Sequence, residues 1–164
     1  MSISRYQENL TYMVELIRAR NIKVIVVGPA LHETTEEDDP RSSDLNRKYS
    51  QAAEQICQRL NIPFVNLWNA FARDVGFDIN SNAIPPGDKG SKITDLSKLL
   101  CDGIHFHGRG YQLWYNELKQ CIKENYPELD SDNIPHLFPP HEMVDVNDIE
   151  NSIVNWDSGY EFKD

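Results

Sequence analysis

What this 164-residue chain lacks narrows its function first. No apolar run approaches the roughly 20 residues needed to cross a bilayer, and the mean hydropathy is negative at −0.56. The opening Met-Ser-Ile-Ser-Arg-Tyr-Gln-Glu has neither the apolar centre nor the small-residue cleavage site of a secretory signal. Cysteine is scarce, odd in number and without metal spacing: Cys57, Cys101 and Cys121 read as reduced thiols, so the expected location is cytoplasmic. Basic excess is missing too. The net charge is −10, which leaves no footprint for nucleic acid or an anionic membrane. No internal repeat or low-complexity tract is present. No serine stands in the strand-to-helix context that would make it a nucleophile.

The negative charge is concentrated at one end. Residues 126–164 hold ten Asp and Glu against one Lys, while the preceding 125 hold sixteen acids and fifteen bases. The expected organisation is therefore a near-neutral domain over 1–126 followed by a solvated acidic extension over 127–164.

Periodicity places the elements. Tyr6, Leu10, Met13, Val14 and Ile17 mark an amphipathic helix over 4–20. The β-branched run Ile22–Val27, closing on Gly28-Pro29, reads as a strand buried on both faces. Residues 32–43 read as a polar loop. Leu45, Tyr49, Ala52, Ala53, Ile56 and Leu60 mark a second helix ending at Asn61, and Ile62–Leu67 a second strand with Pro63 near its start. A short helix over 68–77, a Gly/Pro loop over 78–91 and another short helix over 93–100 follow. Tyr111, Trp114, Tyr115, Leu118, Cys121 and Ile122 keep helical spacing up to Pro127, with Trp114 and Tyr115 expected in the core. Alternation of helix and strand gives fold class α/β with a parallel sheet. Two strands are too few for a complete sheet, so the front of a domain is expected to be missing. Ile22–Val27 should then have one bare edge, with Leu10, Met13 and Ile17 short of packing partners and self-association through the edge as a consequence.

The segment Cys101-Asp-Gly-Ile-His-Phe-His-Gly-Arg-Gly-Tyr111 carries the chemistry. Asp102 and His105 are three apart on a glycine-punctuated loop before a helix. A carboxylate so placed accepts a hydrogen bond from one imidazole nitrogen and leaves the other to take a proton, the orienter–base half of a hydrolytic triad. Bland readings compete: a loop hydrogen bond, a helix cap, or a metal set of Asp102, His105 and His107, which lacks a further ligand. Cys101 reads as a small core-facing residue, and His32, His136 and His141 as surface residues. Asn66 and Asn69, after the second strand, read as caps.

Asp102-Gly-Ile-His-Phe106 with Gly108 and Gly110 resembles the last motif block of the SGNH (GDSL-type) hydrolases. Tyr6–Leu10, the strand ending Val27-Gly28-Pro29 and Ile62–Trp68 follow that family's order. Gly108-Arg-Gly-Tyr111 and Glu124-Asn-Tyr-Pro127 look like its isoamyl acetate-hydrolysing esterase subgroup. The resemblance implies the C-terminal portion of a flavodoxin-like α/β/α domain. It also implies hydrolysis of small acetate-type esters without metal or organic cofactor, with His105 as general base and acid and Asp102 as its orienting carboxylate. The family's Gly-Asp-Ser and Gly-x-Asn-Asp blocks, which supply nucleophile and oxyanion donors, have no counterpart; Gly87-Asp88-Lys89 is the nearest echo. The expectation is a truncated, inactive form whose ester substrate belongs to a longer protein. The rival expectation is a catalytically dead binding or regulatory relative.

Overall fold

The computed structural model describes residues 1–34, 39–134 and 138–154. Two compact units are defined, Met1–Asn125 and Tyr126–Asp164.

In the first unit α1 spans Ile3–Arg18, started by Ser2, whose side chain accepts the Arg5 N–H. Then come β1 (Val26–Val27), α2 (Ser43–Leu60), β2 (Phe64–Val65), α3 (Leu67–Asp74) and α4 (Gly108–Asn125). Ser42 caps the start of α2, and Asn61 ends that helix in the left-handed conformation at φ 53°. Asn66 caps α3 by accepting the Asn69 N–H at 3.0 Å, the role expected of this pair.

The strands pair in parallel, with Val26 opposite Phe64 and Val27 opposite Val65. Alternation along them separates two cores. Val24, Val26 and Phe64 pack against the cluster of Leu10, Val14, Ala53, Ile56, Cys57 and Ile62, contributed mainly by α1 and α2. Ile25 and Val27 join Val65, Trp68, Phe71, Leu99 and Leu100 on the α3 and α4 side. Helices therefore lie on both faces of the sheet, which is the α/β/α layering expected.

Four expectations need correction. The paired part of Ile22–Val27 is only Val26–Val27, and it is half-buried rather than buried on both faces. Among the described residues β2 is its one partner strand, and Ile22 stands 54% exposed. Leu10 is not short of partners, because it packs against α2 residues Ala53, Ile56 and Cys57; Met13 is 50% exposed. Residues 93–100 are not a helix. Asp95 Oδ1 takes the Ser97 N–H at 2.9 Å and Glu33 Oε2 takes the Leu96 N–H at 3.3 Å. The local Asp95 acceptor and the distant Glu33 carboxylate together take N–H groups that a helical ladder would need. Tyr115, at 58% exposure, is not in the core; Trp114 is partly buried, ringed by Phe106 and Tyr111.

The second unit has two single-turn 3₁₀ segments, Pro127–Leu129 and His141–Met143, and α5 (Ile149–Val154). No helix among the described residues is long and apolar enough to cross a membrane.

Candidate active site

The Asp-His loop is closed on itself before its side chains are considered. Leu100 and Phe106 form an antiparallel bridge. The Cys101 N–H donates to His105 O at 2.9 Å, and the His107 N–H to Leu99 O at 2.7 Å. Gly103 makes the reversal at φ 85°, a backbone region that disfavours side chains. Below the loop, Phe106 packs on Phe71 at 5.0 Å between ring centroids, which anchors the loop to α3. At Gly110 in α4 an added Cβ would come within 2.5 Å of Leu99 O, so the helix approaches the loop backbone as closely as glycine allows. The loop is also tied to the chain leaving β1: the Glu33 N–H donates to Gly103 O at 2.9 Å. That bond brings it to the carboxyl end of the parallel strands, where open α/β sheets place ligands.

Within this frame Asp102 is an acceptor three times over. Its Oδ1 receives the backbone N–H groups of Ile104 at 3.1 Å and His105 at 2.8 Å. Its Oδ2 lies 2.6 Å from His105 Nδ1. The His105 backbone N–H, then its ring, then the Ile104 N–H hold the Asp102 carboxyl down to about 2. A carboxylate ionised so firmly makes Nδ1 the protonated ring nitrogen and leaves the Nε2 lone pair open. Among the described residues no hydrogen bond engages Nε2. The side chains are well exposed, His105 at 74% and Asp102 at 53%.

His107 turns its backbone to Leu99 and does not join the pair. Among the described residues no group of three or more His, Cys, Asp and Glu converges as a metal set. Cys101 is exposed rather than core-facing, because its neighbours Leu100 and Phe106 occupy the inward positions of the bridge. Cys57 is buried, which pushes its thiol up to about 11. Asp88, in the echo of Gly-Asp-Ser, is structural: its two carboxylate oxygens take the Ser43 and Asp44 N–H groups at 2.6 and 2.8 Å at the start of α2. His141 is at the surface as expected, and His136 lies outside the described residues.

One arrangement was not anticipated. His32, expected at the surface, is buried with its Nε2 2.9 Å from Asp39 Oδ2. Asp39 also accepts the Arg41 N–H and guanidinium at 2.9 and 2.8 Å, which hold its carboxyl well below the usual range. The sequence signal was Asp39-Pro40-Arg41, a side-chain-closed turn after a polar stretch; its inward histidine partner had none.

The first unit thus combines α/β/α layering with an Asp–His hydrogen bond on the loop before α4. A family model for the GDSL-like lipase/acylhydrolase family matches residues 1–113, and the chain belongs to that family. It is 25% identical over 144 residues to the isoamyl acetate-hydrolyzing esterase of Saccharomyces cerevisiae, covering 82% of this chain and 53% of that protein. Over 41 residues it is 44% identical to the isoamyl acetate-hydrolyzing esterase of Schizosaccharomyces pombe, covering 25% of this chain and 17% of that one. The chain thus spans about half the length of the Saccharomyces relative. Among solved structures, a mutant of an acetyl-xylooligosaccharide esterase from Geobacillus superposes with a TM-score of 0.54 at 19% identity, over 74% of this chain and 48% of that one. An alpha/beta hydrolase enzyme from the metagenome of Lake Arreo gives 0.53 at 19% identity, over 74% and 47%. At that identity the likeness is one of fold.

Proposed function

We propose that this chain carries the acid–base half of an ester-hydrolase site that acts on small carboxylic esters of the acetate type through an acyl-enzyme. The observation that carries the reading is the 2.6 Å bond between Asp102 Oδ2 and His105 Nδ1, on a loop pinned to the chain leaving β1. Family membership and the yeast relative's activity toward isoamyl acetate support the substrate class.

In this reaction His105 Nε2 removes the proton of a nucleophilic hydroxyl as its oxygen attacks the ester carbonyl. It returns that proton to the departing alcohol oxygen when the tetrahedral intermediate collapses. It then activates water to release the acid. Asp102 fixes the tautomer and stabilises the imidazolium formed at each step. Among the described residues no hydroxyl is hydrogen-bonded to His105 Nε2, so in this reading the pair acts on a nucleophile it does not itself hold. A single oxyanion donor is worth about 3–4 kcal/mol, and triad members act as a unit, so the 164 residues by themselves are inactive. The free thiols support a reducing, cytoplasmic setting.

The test is an assay with p-nitrophenyl acetate. The chain alone should hydrolyse it no faster than buffer. Fused to the portion of the Saccharomyces esterase that the alignment leaves uncovered, it should turn over ester, and His105→Ala or Asp102→Ala should abolish that turnover. Activity of the fusion that survives His105→Ala would overturn the site. Activity of the chain alone that His105→Ala removes would overturn its inactivity.

A further inference from the structure

Three residues leaving β1 gather the surroundings of the Asp-His loop. The His32 N–H donates to Ser43 Oγ, and that hydroxyl donates to His32 O, both at 2.9 Å. The Glu33 N–H holds Gly103 O at 2.9 Å, and the Thr34 N–H holds Gly87 O at 3.0 Å. Glu33 Oε2 accepts the Leu96 N–H at 3.3 Å. Segment 32–34 therefore sets the height of the Asp102–His105 loop against α2 and the loops on either side. To these bonds is added a buried side-chain tie, His32 Nε2 with Asp39 Oδ2 at 2.9 Å, exposed by only 5% and 1%.

We propose that the His32–Asp39 pair is a positioning device for the Asp102–His105 pair, acting through the Glu33 N–H bond to Gly103. The inference rests on the functional reading above. His32 and Asp39 touch no reacting atom; they hold the backbone donor that keeps Gly103 in place. Gly103 lies between the two residues whose side chains must meet. The charged groups facing His32 include Asp39, which is ion-paired with Arg41, and Asp88. Asp39 is held ionised by Arg41, so it is a permanent acceptor and His32 Nε2 the donor. Replacing His32 by alanine removes one of the two donors to Asp39 Oδ2, leaving the Arg41 guanidinium at 2.9 Å, and unties the buried end of the segment from that carboxylate.

The experiment reads the tautomer of His105 in the 164-residue chain by ¹⁵N NMR, at a pH where imidazoles are neutral. In the parent chain the Asp102 bond should hold His105 as the Nδ1–H form. His32→Ala and Asp39→Ala should each lower the ratio of Nδ1–H to Nε2–H by about fivefold, the ratio held by one ordinary hydrogen bond. His32→Gln, whose amide can still donate to Asp39, should restore it. Ile56→Val, a mild core defect on the α1–α2 side, should leave it unchanged although it lowers the melting temperature. If His32→Ala does not fold, Asp39→Ala and His32→Gln carry the test. Folded His32→Ala or Asp39→Ala with the parent ratio would overturn the proposal, as would an equal change in Ile56→Val. Asp102→Ala separates the two readings. If it leaves the parent ratio untouched, the Asp102–His105 reading itself fails. If it shifts the ratio and His32→Ala and Asp39→Ala do not, only the positioning role fails.

Discussion

Asp102 gains its depressed proton affinity from three N–H donors within its own turn, and this has a consequence for stability. Its folded value of about 2 lies below the value of about 3.9 expected for an unfolded aspartate. A depressed carboxyl contributes stability that is fully present above the unfolded value and is lost as pH falls through the folded one. Asp102→Ala should therefore be less stable than the parent at pH 5–7 (a flat difference). That difference should shrink steadily below about pH 4 and be mostly lost near pH 2. Urea midpoints of both proteins across this range check it; a gap that keeps its size down to pH 2 would remove the hydrogen-bonded carboxylate from the account. Asp39, held low by Arg41 and His32, contributes with the same sign in both proteins and down to lower pH, so both lose stability in acid and the parent, which also has Asp102, loses more.

Between elements, the contact that matters for the site is α4 against the Asp-His loop. Gly110 is buried, with Leu99 O and the Phe106 and Phe71 side chains within 3.3 Å of any added Cβ. The nearest of these atoms is backbone, which cannot rotate away. Gly110→Ala should force α4 and the loop apart, a cost of about 1–3 kcal/mol by the usual scale of overpacking. The gain in helix propensity, below about 1 kcal/mol, does not offset it. Thermal melts give the stability. Loss of the His105 Nδ1–H signal would show that the displacement reaches the pair. A variant as stable as the parent would mean that the close approach is not maintained in solution.

For the molecule as a whole, β1 is the weak side. Its outer edge has no partner among the described residues, and Ile22, Tyr12, Met13 and Leu16 are exposed nearby in the sequence. Unpaired N–H and C=O groups beside apolar side chains are a template for pairing with another chain. The protein should sediment as larger species as its concentration rises. Ile22→Lys should suppress that association while leaving the melting temperature within about 2 °C, since the side chain is already outside the core. A concentration-independent monomer would show that the edge is protected.

The sequence by itself determined the helices and the spacing that lets Asp102 reach His105, because both depend on residues a few positions apart. Helical spacing carried Leu10, Val14, Ala53 and Ile56 inward, and a turn of three residues closed on Gly103 carried the carboxylate to the imidazole. It determined the parallel α/β class through the alternation of helix-period and strand-like segments along the chain, which calls for crossover helices on the faces of a parallel sheet. Tertiary structure alone decided the rest. The bond from Glu33 to Gly103 joins positions seventy apart, and no local pattern specifies it. His32 is inside because Asp39 and Ser43 fold back over it, and Cys101 is outside because the Leu100–Phe106 bridge takes the inward positions. Residues 93–100 had enough apolar character for a helix and lost it to the carboxylates of Asp95 and Glu33, the second of which arrives only when the chain has folded.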